Sequence, residues 1–413
     1  MAAARISRQF GSASSLSGSI SSLAASSALS RDRSRDRLDA ARKGGGLVAA
    51  KKKMGSLGNL VGKRDSTAVG QLRPRAPAIK ESSEVYTVKF SLDDEYIAVG
   101  LGDAQISILS TRTNERLHTL TPDNLSADLP CTSIAFRPEA PSYKNKNVLA
   151  AAYASGDIIH WHTTSNQEIS RINEGENQPY VVTYNISGSQ FATGGSDCAV
   201  RLYDGEGMHP IATMKNGTGG LAAETAGHSN RIFAVKFHPT DPNCLISAGW
   251  DNTVQIWDPR VARSVRSFYG PHICGDALDF LPGTATGGLN GSMLVCGSYR
   301  KNDALQIWSF AEGALVETIP WTHADNPDPQ TSLLYSVGAS ASGKYIVAAG
   351  GSSAQCKVFS TTSKRPVGMV TNLPGTIYSA AMSHDEKMVA FGGSDLGVWS
   401  FEIDPIGLTD FMY

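Results

Sequence analysis

Three groups of residues in this 413-residue chain have types and spacing that suggest chemistry. His228, Ser247 and Asp251 are the side chains of a hydrolase triad, in which imidazole takes the proton of a serine nucleophile and a carboxylate orients the ring. No nucleophile-elbow or oxyanion-hole sequence accompanies them. GASASGKY at 338–345 nearly spells a phosphate loop. Such a loop needs Ser or Thr after the lysine to hold magnesium, and a helix to aim its N-terminus at the phosphate. Here Tyr345 follows Lys344, and YIVAAGG continues as a strand, so the segment reads as a hairpin turn. Six cysteines (Cys131, Cys198, Cys244, Cys274, Cys296 and Cys356) stand singly, with no CxxC pair and no cysteine–histidine ligand spacing. They read as buried reduced thiols rather than zinc ligands or a disulfide framework. The expectation is no catalytic residue, no metal, no cofactor and no small-molecule substrate.

The elements that position these residues repeat. An apolar, variable, apolar, aromatic phrase reads ISILS at 106–110, IIHWH at 158–162, VRLYD at 200–204 and VQIWD at 254–258. It returns as LQIWS at 305–309, CKVFS at 356–360 and LGVWS at 396–400. Anchored on Leu109, Trp161, Tyr203, Trp257, Trp308, Phe359 and Trp399, the steps are 52, 42, 54, 51, 51 and 40 residues. That period, with strand-like alternation inside each unit, predicts an all-β fold: a seven-bladed β-propeller of four-stranded antiparallel sheets. The expected boundaries are a disordered basic arm at 1–80, the propeller at 81–405 and a short tail at 406–413. A glycine closing the second strand of most blades reads as the source of positive φ in tight hairpins. Little chain follows Trp399, so blade seven must be completed and its open edge covered either by residues from about 73 to 84, the favoured reading, or by FEIDPI at 401–406.

The segment GHSNRIFAVKFHP…CLISAGWDNTVQIWD at 227–258 resembles a complete WD repeat, with a Gly-His start, an Asp in the third hairpin and a closing Trp-Asp. Degenerate echoes extend the resemblance to the WD-repeat (WD40) β-propeller family over about 81–405. It implies that His228, Ser247, Asp251 and Trp257 form a buried hydrogen-bond chain tying strands together rather than a catalytic triad. It implies a top face that grips proteins or peptides, with Arg231 and Trp250 as contact residues. LISAGWDNTVQIWDPR at 245–260 also fits the box that recruits some members to cullin–RING ubiquitin ligases, ending in Trp257, Asp258, Pro259 and Arg260. Arg260 would then sit on the bottom face, with its planar fork open to adaptor carboxylates. The leading expectation is a non-enzymatic scaffold in a multiprotein assembly; the alternative is a ligase substrate receptor.

Charge is divided unevenly. Residues 1–80 hold sixteen Lys and Arg against four Asp, and the remainder holds twenty-one basic against thirty-four acidic residues. A basic arm of this kind favours polyanions such as tubulin's acidic tails, nucleic acid or anionic lipid, with salt-sensitive affinity; the equal alternative is a solubilising tail that interacts weakly with its own acidic propeller. Eleven Ser and seven Ala within residues 1–30 also match an organellar transit peptide, but acids from Asp32 onward and basic sequence through Arg64 favour a retained arm. Ser34, three residues after Arg31, suits a basophilic kinase, whose phosphate would lower the arm's charge. No apolar run approaches a membrane span. The expected location is cytoplasmic, with a cytoskeletal or ciliary placement suggested by charge and family breadth.

Overall fold

The computed structural model describes residues 67–125, 127, 129–216, 227–283, 291–322, 333–351 and 354–404. The arm up to residue 66, with Ser34, and the tail at 406–413 lie outside the described residues.

Seven antiparallel sheets form the blades. Blade four is representative, with strands Ile232–Phe237, Leu245–Gly249, Thr253–Asp258 and Arg263–Tyr269 running from the axis outwards. The innermost strands neighbour one another in cyclic order, and Ile377–Met382 of blade seven packs against Val85–Phe90 of blade one, closing the ring. Because strands alternate in direction, the turns between second and third strands and the links between blades share one face, here the upper face. The other turns share the lower face.

Packing between blades explains the residue pattern. Simple alternation suits a sheet with one wet face. Here Val148–Tyr153 is buried at every residue, and so is Leu245–Gly249. Each second strand is sandwiched between two neighbouring sheets, so it reads as a solid apolar run rather than the expected alternation. Outer strands such as Gln167–Asn173 are mostly exposed or half-buried. Val181, Leu202, Val235 and Trp257 of blades three and four meet in one cluster, while Val85, Val99, Ala390 and Val398 join blade one to blade seven. Small hydroxyls pin the inner strands together: Val88 N–H donates to Ser379 Oγ (3.0 Å), Val182 N–H to Ser133 Oγ (3.2 Å) and Ala380 N–H to Ser336 Oγ (3.1 Å).

The amino-terminal boundary differs from expectation. Among the described residues strands are present from Thr67 onward, ahead of the expected boundary at residue 80. Thr67–Gly70 lies antiparallel along Pro366–Thr371 as a fifth strand of blade six. Leu72–Pro74 and Ile79–Lys80 both pair with Gly397–Ile403, the third strand of blade seven, and form its outer edge. Leu72 is buried with Val370, Phe401 and Ile403, which explains why the segment stays. The seam is tied on the lower face as well. Asp94 accepts the backbone N–H groups of His384 and Asp385 at 2.8 Å each, and Arg75 reaches the carbonyls of Thr111 and Arg112.

Two further readings are corrected by the backbone. The glycines closing second strands do not have positive φ; they are close-approach sites. A Cβ on Gly249 would lie 1.9 Å from Arg231 O, and one on Gly393 1.8 Å from Thr376 O. Positive φ instead falls at one hairpin position in every blade: Ala104, Gly156, Cys198, Asn252, Asp303, Ala354 and Leu396, with φ from 46° to 96°. In each of the first six blades this residue lies five before the repeating anchor, Asn252 before Trp257 for example. In blade seven the same count leads to Phe401, not Trp399. Register agrees, since Val389 pairs with Phe401 as Leu245 pairs with Trp257. Phe401 is buried; Trp399 is half-buried, and its indole N–H donates to Asp395 at 2.9 Å.

Candidate functional site

The hydrolase-like residues of blade four do come together. Asp251 Oδ2 lies 2.7 Å from His228 Nδ1, and His228 Nε2 lies 2.6 Å from Ser247 Oγ. Trp257 Nε1–H donates to the same Ser247 oxygen at 2.7 Å. The donors run in one direction. A carboxylate only accepts, so Nδ1 donates to Asp251; Nε2 then accepts the Ser247 proton, and Ser247 accepts from the indole. Burial alone would raise the Asp251 carboxyl, but hydrogen bonds from His228 and from the Thr253 and Ser229 amides hold it below its usual range. Ser247 and Trp257 are 0% exposed and His228 1%, so no substrate carbonyl can reach the serine oxygen. The group is a strand tie, as the repeat resemblance implied.

Blade three keeps the geometry with other chemistry, which sequence reading missed. Glu174 takes the histidine's role, and its Oε1 accepts from Thr193 Oγ1 at 2.6 Å and Tyr203 OH at 2.9 Å. Arg201 answers the added charge by pairing with both Glu174 and Asp197. Only the register, Thr193 opposite Arg201 as Ser247 is opposite Gln255, exposes the equivalence.

A charged bridge across the ring was missed as well. Asp276, at the start of blade five, pairs with Lys89 of blade one and Lys236 of blade four (2.9 Å to Lys236). Burial would raise its carboxyl, but the two ammonium groups hold it well below the usual carboxylate range. Nothing in the spacing of Lys89, Lys236 and Asp276 signals this meeting, because each belongs to a different blade.

On the upper face, Trp250 stands among other rings. Its ring lies 5.3 Å from Phe233 and 6.5 Å from His272, nearly parallel to the latter, and the Arg231 guanidinium sits 5.4 Å from its centre. Tyr180 of blade three continues the patch by stacking on Phe233 at 4.9 Å. All five side chains are half-buried. The Trp250 indole N–H faces the Cys274 thiol and finds no oxygen acceptor. Burial first, then the charge of Arg300, pushes the His272 imidazole down, keeping it neutral at neutral pH. This is a preformed aromatic surface with one cation over it, drawn from two blades and a link.

The Trp257–Arg260 box divides between core and surface. Trp257 is wholly interior, while the Arg260 side chain is 67% exposed at a lower-face turn. Its Nε and Nη2 already fork onto the carboxylate of Asp258, at 3.0 and 2.6 Å. The phosphate-loop-like segment is a hairpin: Ser340 N–H donates to Tyr345 O at 2.9 Å, and a strand, Tyr345–Gly350, follows. Among the described residues, no helix is long and apolar enough to cross a membrane.

Comparison with known proteins agrees with this geometry. The family description "WD domain, G-beta repeat" matches residues 219–258, the part of the chain containing the blade-four tie. The guanine nucleotide-binding protein subunit beta of Solanum tuberosum is 23% identical over 308 residues, covering 62% of this chain and 78% of that protein. The WD repeat-containing protein slp1 of Schizosaccharomyces pombe is 24% identical over 259 residues, 62% of this chain and 46% of its own length. The nuclear distribution protein PAC1 of Komagataella phaffii is 26% identical over 160 residues, 36% of this chain and 29% of its own. With a closed ring of seven four-stranded blades and the complete repeat in blade four, this chain is a member of the WD-repeat β-propeller family.

Proposed function

We propose that the ring is a non-enzymatic scaffold that holds a segment of a partner protein on its upper face within a larger assembly. The observation that supports this reading is the Trp250–Arg231–Phe233 patch, since tryptophan and arginine are the residues most often found to anchor interfaces. A half-buried ring already held by its neighbours loses little freedom on binding, which favours affinity. Capture from native cells tests it: Trp250→Ala is expected to lose the partner about tenfold or more, with the melting temperature close to wild type. Retained capture would contradict the proposal.

The finer placement is cytoskeletal or ciliary, with the basic arm on an acidic surface such as tubulin tails. Two features support it: the charge of residues 1–80 and the likeness to a protein named for nuclear distribution. Microtubule co-sedimentation of the full chain should weaken as salt rises; salt-independent sedimentation, or none, would count against it. The alternative of a ligase receptor draws on the exposure of Arg260. It requires cullin and adaptor to co-purify and to be lost on Arg260→Ala.

A further inference from the structure

A second surface at the channel mouth arises from a backbone irregularity that recurs in six blades. In each, the pairing of the innermost strand with the second skips one residue: Tyr86, Thr132, Tyr180, Phe233, Tyr335 or Tyr378. A bulge of this kind breaks the two-residue alternation and re-aims the extra side chain. Five of the six are aromatic, and all are half-buried. Tyr180 and Phe233 belong to the Trp250 patch. Tyr86, Tyr335 and Tyr378 join Tyr299 in a continuous arc over blades five, six, seven and one. Ring centres are 5.1 Å apart for Tyr299 and Tyr335, 5.6 Å for Tyr335 and Tyr378, and 5.7 Å for Tyr378 and Tyr86.

The two halves of the mouth differ in charge. Arg231 lies over the Trp250 patch, whereas the carboxylate of Glu84 lies beside Tyr86 and Tyr378. Two basic side chains on neighbouring upper turns, Lys80 and Arg300, are turned to the backbone carbonyls of Asp395 and Gly270, while Lys301 beside Arg300 is exposed. Burial first, then Glu84, raises the Tyr378 phenol to about 12, so its ring stays neutral and electron-rich at physiological pH. An anionic occupant would meet Glu84, and a purely apolar one would strip water from that carboxylate without replacing it. Aromatic faces with an adjacent carboxylate favour a cation.

We infer that the tyrosine arc is a binding site for a cationic side chain, a lysine or its methylated form, presented by an extended segment of a partner protein. This rests on the reading of the upper face as the docking face. The opposed charges across the mouth would also set the direction in which that segment lies, with its basic end towards the seam between blades seven and one.

The test titrates the full chain with N-acetyl-trimethyllysine methylamide, following tyrosine ring signals by NMR. The neutral analogue, with a tert-butyl group in place of the trimethylammonium, serves as the comparison. The expected result is a shift of the Tyr86, Tyr335 and Tyr378 signals, with the cation binding at least about fivefold more tightly than its neutral analogue. Tyr378→Leu should abolish that preference, and Glu84→Gln, which keeps every ring, should reduce it. Equal binding of the neutral analogue, an unchanged preference in both variants, or no shift at all would overturn the inference. Failure here while Trp250→Ala still releases partners would remove the cation site and leave the scaffold reading standing. Retained capture by Trp250→Ala would instead strike that reading itself.

Discussion

Blades four and seven occupy equivalent places in the ring and are held together differently. Blade four has all four strands from one continuous stretch, and its second and third strands are joined by the Trp257–Ser247–His228–Asp251 chain. Blade seven takes its outer edge from residues 72–80. Where blade four has Ser247 and Trp257, blade seven has Phe391 and Phe401, stacked at 5.5 Å and 9°. The same space is filled by directional hydrogen bonds in one blade and by apolar stacking in the other. What the fold demands at this position is filled volume and satisfied polar groups, not a particular chemistry.

That contrast can be broken most severely at blade seven. A chain beginning at residue 81 lacks the outer edge, exposing the third strand and uncovering Phe401 and Ile403. Compared with a chain beginning at residue 65, its melting temperature should fall by roughly 10 °C or more, as read by calorimetry. Equal melting of the two chains would show that residues 67–80 do not close the ring.

Blade four should be more sensitive to loss of a single oxygen. Ser247→Ala leaves the Trp257 indole N–H and His228 Nε2 buried without partners, at a cost of about 2–4 kcal/mol in urea unfolding. A loss below about 0.5 kcal/mol would mean that the chain of donors contributes little.

Acid should sharpen the difference. The folded Asp251 carboxyl is held below its ordinary value of 3.8. Its contribution is therefore complete above the unfolded value and is lost as pH falls through the lower, folded one. Wild-type stability should decline in that acid window more steeply than that of Asp251→Asn, measured by unfolding at stepped pH. Parallel curves would contradict the assignment.

The smallest effect concerns the hairpin position with positive φ. Leu396 holds φ 62° without a side chain suited to it, whereas Asn252 at the same φ of 62° also accepts a hydrogen bond on its amide oxygen from His272 Nδ1 at 2.8 Å. Leu396→Gly should stabilise by about 0.5–1 kcal/mol, while Asn252→Gly should destabilise. The same sign for both would show that backbone conformation does not decide the matter.

The period, blade number and fold class could be read in the sequence because each blade must present one aromatic or large apolar residue at a fixed depth. The His228–Ser247–Asp251–Trp257 tie was readable for a related reason: those side chains lie within one blade, where local spacing fixes distance. The anchor of blade seven was misread because Trp399 and Phe401 are two residues apart and so lie on the same face of the strand. Ala104 and Leu396 give no turn signal, so the recurring positive φ was hidden and glycine received a role it does not have. The tyrosine arc and the Asp276 bridge were invisible for a third reason. They join residues from several blades, and a bulge shifts the alternation that sequence reading relies on.

The most direct test of the upper face as the docking face is lysine crosslinking of a captured partner, read by mass spectrometry. Lys80 and Lys301 lie at upper turns, while Lys144, Lys344 and Lys387 lie at lower ones. Partner crosslinks are expected at Lys80 and Lys301 and should disappear with Trp250→Ala. Crosslinks confined to Lys144, Lys344 and Lys387, and unchanged by that substitution, would contradict it.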